Sequence, residues 1–380
     1  IYIGTCRPRM AAYYLLVSTS AVTAVTGGLI LLVAVILGRF GLFASGDLAI
    51  FLLAFGSLTL IWLASAGLTL LQKQVWLSIA LAVGLLGGAA TSLALAPLSG
   101  LHLAAGVAFG FTAALAVILW TLHRGFARLV ALPLSSKART HLPALIYMLD
   151  EAAPYFAYGL AYMVLIFLPH VYGWFGALPV GQSRADAVSN IEVGLTLSLP
   201  PLILAYGVSE HALRQFWRSA LAAQARVSAG DVSSFGVGLS ALARRQHWSY
   251  LIVLTALTLL AYGTVAAALA NGWTGRWLQI AAPAAFLPIF ALSLLAYWLL
   301  GLGLYSCMFA VTLGCPQAAF RAVIWAGLVM VLAGTILSAL NYVLSVVAFV
   351  LAAFVFAVLA WRSANQVLHR ADYSFAAVLS

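Results

Sequence analysis

The stretch VWLSIALAVGLLGGAATSLAL, residues 75–95, contains no charged side chain and would be apolar on every face of a regular structure. At a rise of about 1.5 Å per residue, a helix of this length crosses the roughly 30 Å hydrocarbon core of a bilayer. A transmembrane β-strand needs only about ten residues and alternates polar with apolar positions, which this stretch does not. Lipid supplies no water to exposed backbone groups, so the segment reads as a membrane-spanning helix.

Stretches of the same kind recur on both sides of it. Spans are predicted at about 11–37, 48–71, 75–96, 101–122, 143–168, 189–208, 248–270, 283–306, 317–340 and 343–361, with ends good to a few residues. Across the 380 residues 65% are hydrophobic and 7% charged, too little polar surface to cover a water-soluble globule. The fold class expected is therefore an all-α polytopic membrane protein of about ten helices. Ile1 stands where a methionine would open a chain and leads almost directly into an apolar run, which predicts that the natural protein begins upstream. No cleavable signal peptide is visible.

Orientation follows from the cations. With the N-terminus inside, all of the 18 Lys and Arg except Arg39, Arg184 and Arg276 fall in inner loops and tails. That asymmetry points to an even number of spans with both termini cytoplasmic. The net charge of +10 is then a topological signature directed at membrane lipids with anionic headgroups, and nucleic acid is not an implied partner. A basic stretch at 124–141, with Pro133 and a Ser-Ser pair, separates a first bundle at 1–123 from a second at 142–380. A further long connection, 209–247, places Leu213, Phe216, Trp217, Ala220 and Leu221 on one helical face beside Arg214 and Arg218. It is expected to lie along the inner membrane surface.

Ionisable groups are costly in a bilayer and mark candidate function. The sequence LPALIYMLDEAAPYFAY, residues 142–158, puts Asp150 and Glu151 in a predicted span. Adjacent helical residues point about 100° apart, so the two cannot share one substrate atom as a catalytic pair. One is expected to line a polar cavity. Tyr147, Tyr155 and Tyr158 offer aromatic faces with a hydroxyl handle, which suit sugar rings. Tyr172, Trp174 and Trp273 read instead as interfacial anchors. Pro154 can kink this helix, and Pro200 with Pro201 removes two backbone donors in mid-span, so these three are the candidate hinges. Gly106 and Gly110, with Gly84, Gly87 and Gly88, predict close helix packing.

The seven histidines show no paired metal-ligand spacing, and Cys6, Cys307 and Cys315 read as small apolar fillers; no metal site and no cofactor are expected. There is no Walker A loop and no GxSxG elbow. The chain is accordingly read as a transporter with no catalytic residues.

Three motifs carry a resemblance: Ala371-Asp-Tyr-Ser-Phe after the last span, Leu142-Pro-Ala-Leu-Ile-Tyr after the basic linker, and Leu197-Ser-Leu-Pro-Pro-Leu-Ile-Leu-Ala-Tyr running into the inner segment. In these, and in the order of elements, the chain resembles the inner-membrane transporters of Pel exopolysaccharide systems (PelG-like). These form a branch of the multidrug, oligosaccharidyl-lipid and polysaccharide flippase superfamily. The resemblance implies two six-helix bundles, of which this chain would lack the first two spans. It also implies alternating access, polysaccharide export across a bacterial cytoplasmic (inner) membrane, and partnership with a cytosolic glycosyltransferase and other membrane subunits. Where the family carries a polar and cationic stretch after the tyrosine, this chain has Asp150–Glu151 and then Pro154-Tyr-Phe. The alternatives are an ion-coupled small-molecule exporter of the same superfamily, a non-catalytic scaffold of a polysaccharide synthase complex, or a membrane-embedded glycosyl-transfer enzyme.

Overall fold

The computed structural model describes residues 74–95, 102–130, 145–224, 232–271 and 283–369, with isolated helical positions at 28 and between 53 and 68. Among these residues the chain is 93% helical and contains no strand. The helices are α1 (Gln74–Leu95), α2 (His102–Val130), α3 (Leu145–Phe175), α4 (Arg184–Ser198), α5 (Pro200–Gln224), α6 (Val232–Ala270), α7 (Pro283–Thr312), α8 (Pro316–Leu340) and α9 (Leu344–His369). Among the described residues, seven segments are long and apolar enough to cross a membrane. Large apolar side chains such as Leu86, Leu260, Ile336 and Leu340 are more than 60% exposed, as a surface facing lipid requires. The protein is an all-α, multi-pass membrane protein. The predicted spans at 11–37 and 48–71, apart from the isolated positions, lie outside the described residues, as do the linker beyond Val130 and the ending at 371–375.

The chain divides into two compact units, Ile1–Thr140 and His141–Ser380. In the first, α1 and α2 pack backbone to backbone. A Cβ built on Gly84 would stand 2.5 Å from the Gly110 carbonyl oxygen, and one on Gly88 would stand 2.7 Å from that of Gly106. Only glycine permits this approach, which replaces side-chain interdigitation with direct van der Waals contact between helices. Ile61, Ala64 and Leu68, at i, i+3 and i+7, bury against Ala80, Ala114 and Ile118. The second helix outlasts its predicted end near 122 and runs to Val130. No proline interrupts it before Pro133, and the Arg124 guanidinium lies over the Trp120 ring at 4.1 Å, holding the first polar turn against the helix.

In the second unit α7 is the central helix and packs against α4, α5, α6, α8 and α9. Its core partners include Leu195, Leu202, Ala322, Ala326, Phe349 and Phe356, all buried. It ends where Gly314 takes φ +76° and the Cys315 N–H donates to the Ala310 carbonyl, closing the last turn before Pro316.

Two expectations change here. Within the segment 209–247, residues 225–231 lie outside the described residues. Its first part continues α5 and its last part opens α6, a helix of 39 residues. The face carrying Phe216 and Ala220 is fully buried against Leu239, Ala243, Phe309 and Leu313, with Leu213 partly buried beside it. The apolar stripe was read correctly but its partner is protein: packing on neighbouring helices covers it as well as lipid would. The side chains of Arg214, Trp217 and Leu221 lie outside the described residues. The helix predicted at 143–168 runs on to Phe175, because Pro169 is accommodated inside it.

Gly84→Ala is expected to destabilise the first unit by about 1–3 kcal/mol, since the added methyl meets backbone that cannot yield. Gly87→Ala, whose Cβ would meet only Phe109 at 3.5 Å, serves as the tolerated control. Thermal unfolding of the purified protein in detergent compares the two.

Candidate functional site

The five residues read as substrate-binding all lie on α3, and the side chains of Asp150, Tyr155 and Tyr158 are among the described ones. Asp150 is exposed in the second turn of α3. The helix packs parallel to α8, with the Tyr172 hydroxyl donating to the Val331 carbonyl at 3.1 Å and the Ala177 N–H donating to that of Ser338. Equal rise along both helices puts Asp150 level with the turn at Leu313–Cys315. That is the inner end by the charge rule, so the acid sits nearer the interface than mid-span. The side chains of Tyr147 and Glu151 lie outside the described residues. Tyr155 is 40% exposed, whereas Tyr158 turns inward. Eight residues separate Asp150 from Tyr158, about 12 Å of helix rise, so α3 does not bring them together.

Pro154 leaves α3 continuous. Pro200 and Pro201 act more strongly, ending α4 at Ser198 and starting α5. Without N–H groups at these positions the Thr196 and Leu197 carbonyls lose their usual partners. The Leu199 N–H turns back to Thr196 at 3.3 Å, and the Ser198 hydroxyl donates to Gly194 at 2.6 Å while lying 3.2 Å from the Phe290 carbonyl of α7. The two helices still make one crossing, Arg184–Ser209, interrupted at its middle.

Within that crossing stands a carboxylate that the sequence reading did not single out. Glu192 Oε1 lies 2.8 Å from His170 Nδ1 and accepts the Trp174 indole N–H at 2.5 Å. Phe167, His170 and Trp174 fall at i, i+3 and i+7 on one face of α3. Phe167 stacks on the imidazole at 5.7 Å and meets the indole edge-on at 5.7 Å. Facing an acceptor, Nδ1 carries the imidazole hydrogen. The Ser183 hydroxyl accepts the Asp186 N–H and caps α4, and the Arg184 guanidinium donates to the carbonyls of Trp174 and Gly176 at the end of α3. These ties hold α3 and α4 at the spacing that the Glu192 bonds need. Trp174, expected as an interfacial anchor, is a ligand of this carboxylate.

A second polar group is deeper. Tyr158, Tyr162, Tyr250 and Tyr305 have buried hydroxyls without a hydrogen-bond partner. The Tyr158 and Tyr162 rings stand 6.3 Å apart, and Tyr162 lies 5.8 Å from the Phe356 ring. Tyr250 stacks on Tyr305 at 4.2 Å, its hydroxyl 3.3 Å from where a Gly301 Cβ would be. The ring of His247, 7% exposed, is boxed by Tyr305, Phe309 and Trp361. Its Nδ1 faces the Ala243 carbonyl at 3.2 Å and its Nε2 the Ser306 hydroxyl at 3.1 Å. Phenols with no partner in a membrane interior are the mark of bound water or ligand.

No protein-family model matches this chain, and neither does any curated protein or solved structure. The carboxylate with its imidazole and indole partners, and the buried tyrosines of the same unit, are therefore read on their own chemistry.

His170→Leu is expected to lower stability by roughly 1–3 kcal/mol, because it takes one of two donors from a carboxylate in an apolar span. The double variant His170→Leu/Glu192→Leu, which removes the charge as well, should recover part of that loss. Thermal unfolding midpoints of the single and double variants decide it.

Proposed function

We propose that this chain exports a saccharide polymer across a bacterial cytoplasmic membrane by alternating access between its two bundles. The observation that carries the reading is Glu192 within a membrane crossing, held by His170 and Trp174 and flanked by the ring of Phe167. A carboxylate is a strong acceptor for sugar hydroxyls, and indole and phenyl faces suit the C–H patches of a pyranose. Lipid alone gives no reason to place such a group there, since even a partly exposed carboxylate, here 35% exposed at its side chain, is costly within a span unless it is used. The resemblance to Pel-type exopolysaccharide transporters points the same way.

In this reading Asp150 and Glu151 give polarity to the inner entrance of the path, Tyr147 and Tyr155 meet the polymer beyond it, and Tyr158, whose hydroxyl is buried here, meets it only when the bundles part. Acidic groups along the route suit a polymer that carries positive charge, such as a partly deacetylated amino-sugar chain. The interruption at Pro200–Pro201 lets α4 and α5 move with some independence, and Pro154 softens α3. The α5–α6 extension turns Arg218, Arg244 and Arg245 outward, a basic surface for an acidic face of a cytosolic glycosyltransferase or of the other membrane subunits of a synthase complex. A second reading, an ion-coupled exporter of small molecules, draws on the same carboxylate–imidazole pair.

Export measured as released carbohydrate from cells making the polymer separates these readings. Glu192→Gln keeps the shape but removes the charge, and is expected to reduce release roughly tenfold, the effect of losing one charge-assisted hydrogen bond. Asp150→Asn and Glu151→Gln should show smaller losses, and full release at normal protein level would remove those two from the path. If Glu192→Gln leaves polymer release intact but raises drug accumulation, the small-molecule reading replaces this one.

A further inference from the structure

The inner end of the first unit gathers hydrogen-bond donors for which the protein supplies no acceptor. On α2 the Arg124 guanidinium lies over the Trp120 ring at 4.1 Å, and Trp76 of α1 meets the same ring edge-on at 6.1 Å. The glycine contacts of the two antiparallel helices, Gly84 with Gly110 and Gly88 with Gly106, set the register that brings 76 level with 120. Both indoles and Arg124 are exposed. Among the described residues no protein acceptor meets the guanidinium or either indole N–H. The sequence extends the point. No Asp or Glu stands between Asp47 and Asp150, whereas Lys73, Arg124, Arg128, Lys137 and Arg139 all do. We infer that Trp76, Trp120 and Arg124 form a site for the headgroup of one anionic phospholipid of the inner leaflet.

Depth is the first argument. By the charge rule this end of α1 and α2 faces the cytoplasm, and indoles settle at the level of lipid headgroups. Arg124 stands one helical turn, about 6 Å, beyond Trp120 on the inner side, where lipid phosphate lies. Continuity is the second. Trp76, Ile79, Val83 and Leu86 fall on one face of α1, and all four are exposed. That face runs from the donors toward the middle of the membrane, as an acyl chain does below its headgroup.

The third argument is chemical. A guanidinium and two indoles only donate, and the phosphate and ester oxygens of a lipid only accept. The planar guanidinium can hold two phosphate oxygens at once, and its seat on Trp120 limits the side-chain freedom lost on binding. A zwitterionic headgroup carries the same phosphate, but its ammonium needs an acceptor, and this stretch of chain has no carboxylate to give. The site therefore selects net anionic lipids such as phosphatidylglycerol over phosphatidylcholine. A soluble phosphate compound matches the guanidinium but leaves the apolar face of α1 unused. An acidic protein surface leaves it unused as well. The site lies wholly within the first unit and does not depend on the export reading.

The test titrates the full chain in detergent with phosphatidylglycerol or phosphatidylcholine of identical acyl chains and counts bound lipid by native mass spectrometry. The first phosphatidylglycerol should bind at least about fivefold tighter than phosphatidylcholine. Arg124→Gln and Trp120→Leu should each abolish that preference. Arg321→Gln, which removes an exposed inner cation of the second unit, should keep it. Unfolding midpoints without lipid establish that the variants fold, and phosphatidylglycerol should raise the midpoint of the parent chain but not of Arg124→Gln. Equal affinity for the two lipids overturns the site and leaves the basic end to an acidic protein partner. Equal loss in Arg321→Gln overturns it too, since the charge would then act without a site. Displacement of phosphatidylglycerol by millimolar inorganic phosphate assigns the guanidinium to a soluble phosphate compound and overturns the lipid as occupant.

Discussion

A bilayer interior offers no hydrogen bonds, so each polar group that enters it must find its partner inside the protein. Helices meet this demand for the backbone, and that is why 93% of the described chain is helical. The same demand makes every departure informative. Where Pro200 and Pro201 withdraw two donors, Leu199 and Ser198 redirect theirs to the carbonyls nearby. Where Glu192 brings a carboxylate, an imidazole and an indole come from α3 to meet it. Among the described residues, the hydroxyls of Tyr158, Tyr162, Tyr250 and Tyr305 lack a partner from the protein, as do the side-chain amides of Asn190 and Gln246 and the hydroxyl of Ser293.

Much of the fold was legible because it depends on local properties. Residues 75–95 do form one uninterrupted helix, the glycines at 84, 88, 106 and 110 do lie at a close helix contact, and the paired prolines do interrupt a crossing. Helix ends were less legible, since continuation past the apolar stretch depends on tertiary partners. The stripe at Leu213, Phe216 and Ala220 shows the limit: an apolar face states that it must be covered, not by what. Lipid and Leu239, Ala243 and Phe309 satisfy it equally.

The candidate site was harder to see. Asp150–Glu151 drew attention as a charged pair in an apolar context, but where a carboxylate sits along a helix depends on how far that helix extends, and α3 extends to Phe175. Glu192 lay in a span with polar neighbours, Ser189 and Asn190, and did not stand out. Its significance comes from His170 and Trp174, residues 22 and 18 positions away. The i, i+3, i+7 face of Phe167, His170 and Trp174 was the available local signal, although it matches an interfacial belt just as well. Tyr162, Tyr250 and Tyr305 come from three helices, and no spacing within one helix could have marked their hydroxyls as unpartnered.

The properties of α7 tie these features together. Its glycines Gly301 and Gly303 leave grooves, into which Leu202, Tyr250, Leu254 and Phe356 from three other helices fit. A larger residue at 301 would meet Leu254 at 2.9 Å and Leu202 at 3.1 Å and would crowd the Tyr250 hydroxyl. The close approach that compensates for the weak hydrophobic drive between helices in lipid therefore also sets where the Tyr250 hydroxyl lies. Packing and polarity in this unit share one cause, the choice of small side chains on the inner half of its central helix. It follows that the interrupted crossing cannot change its seat on α7 without disturbing the hydroxyls: Leu202 follows the break at Leu199 by one turn and rests over the same glycine as Tyr250. A movement at Pro200–Pro201 would reach Tyr250 through that contact.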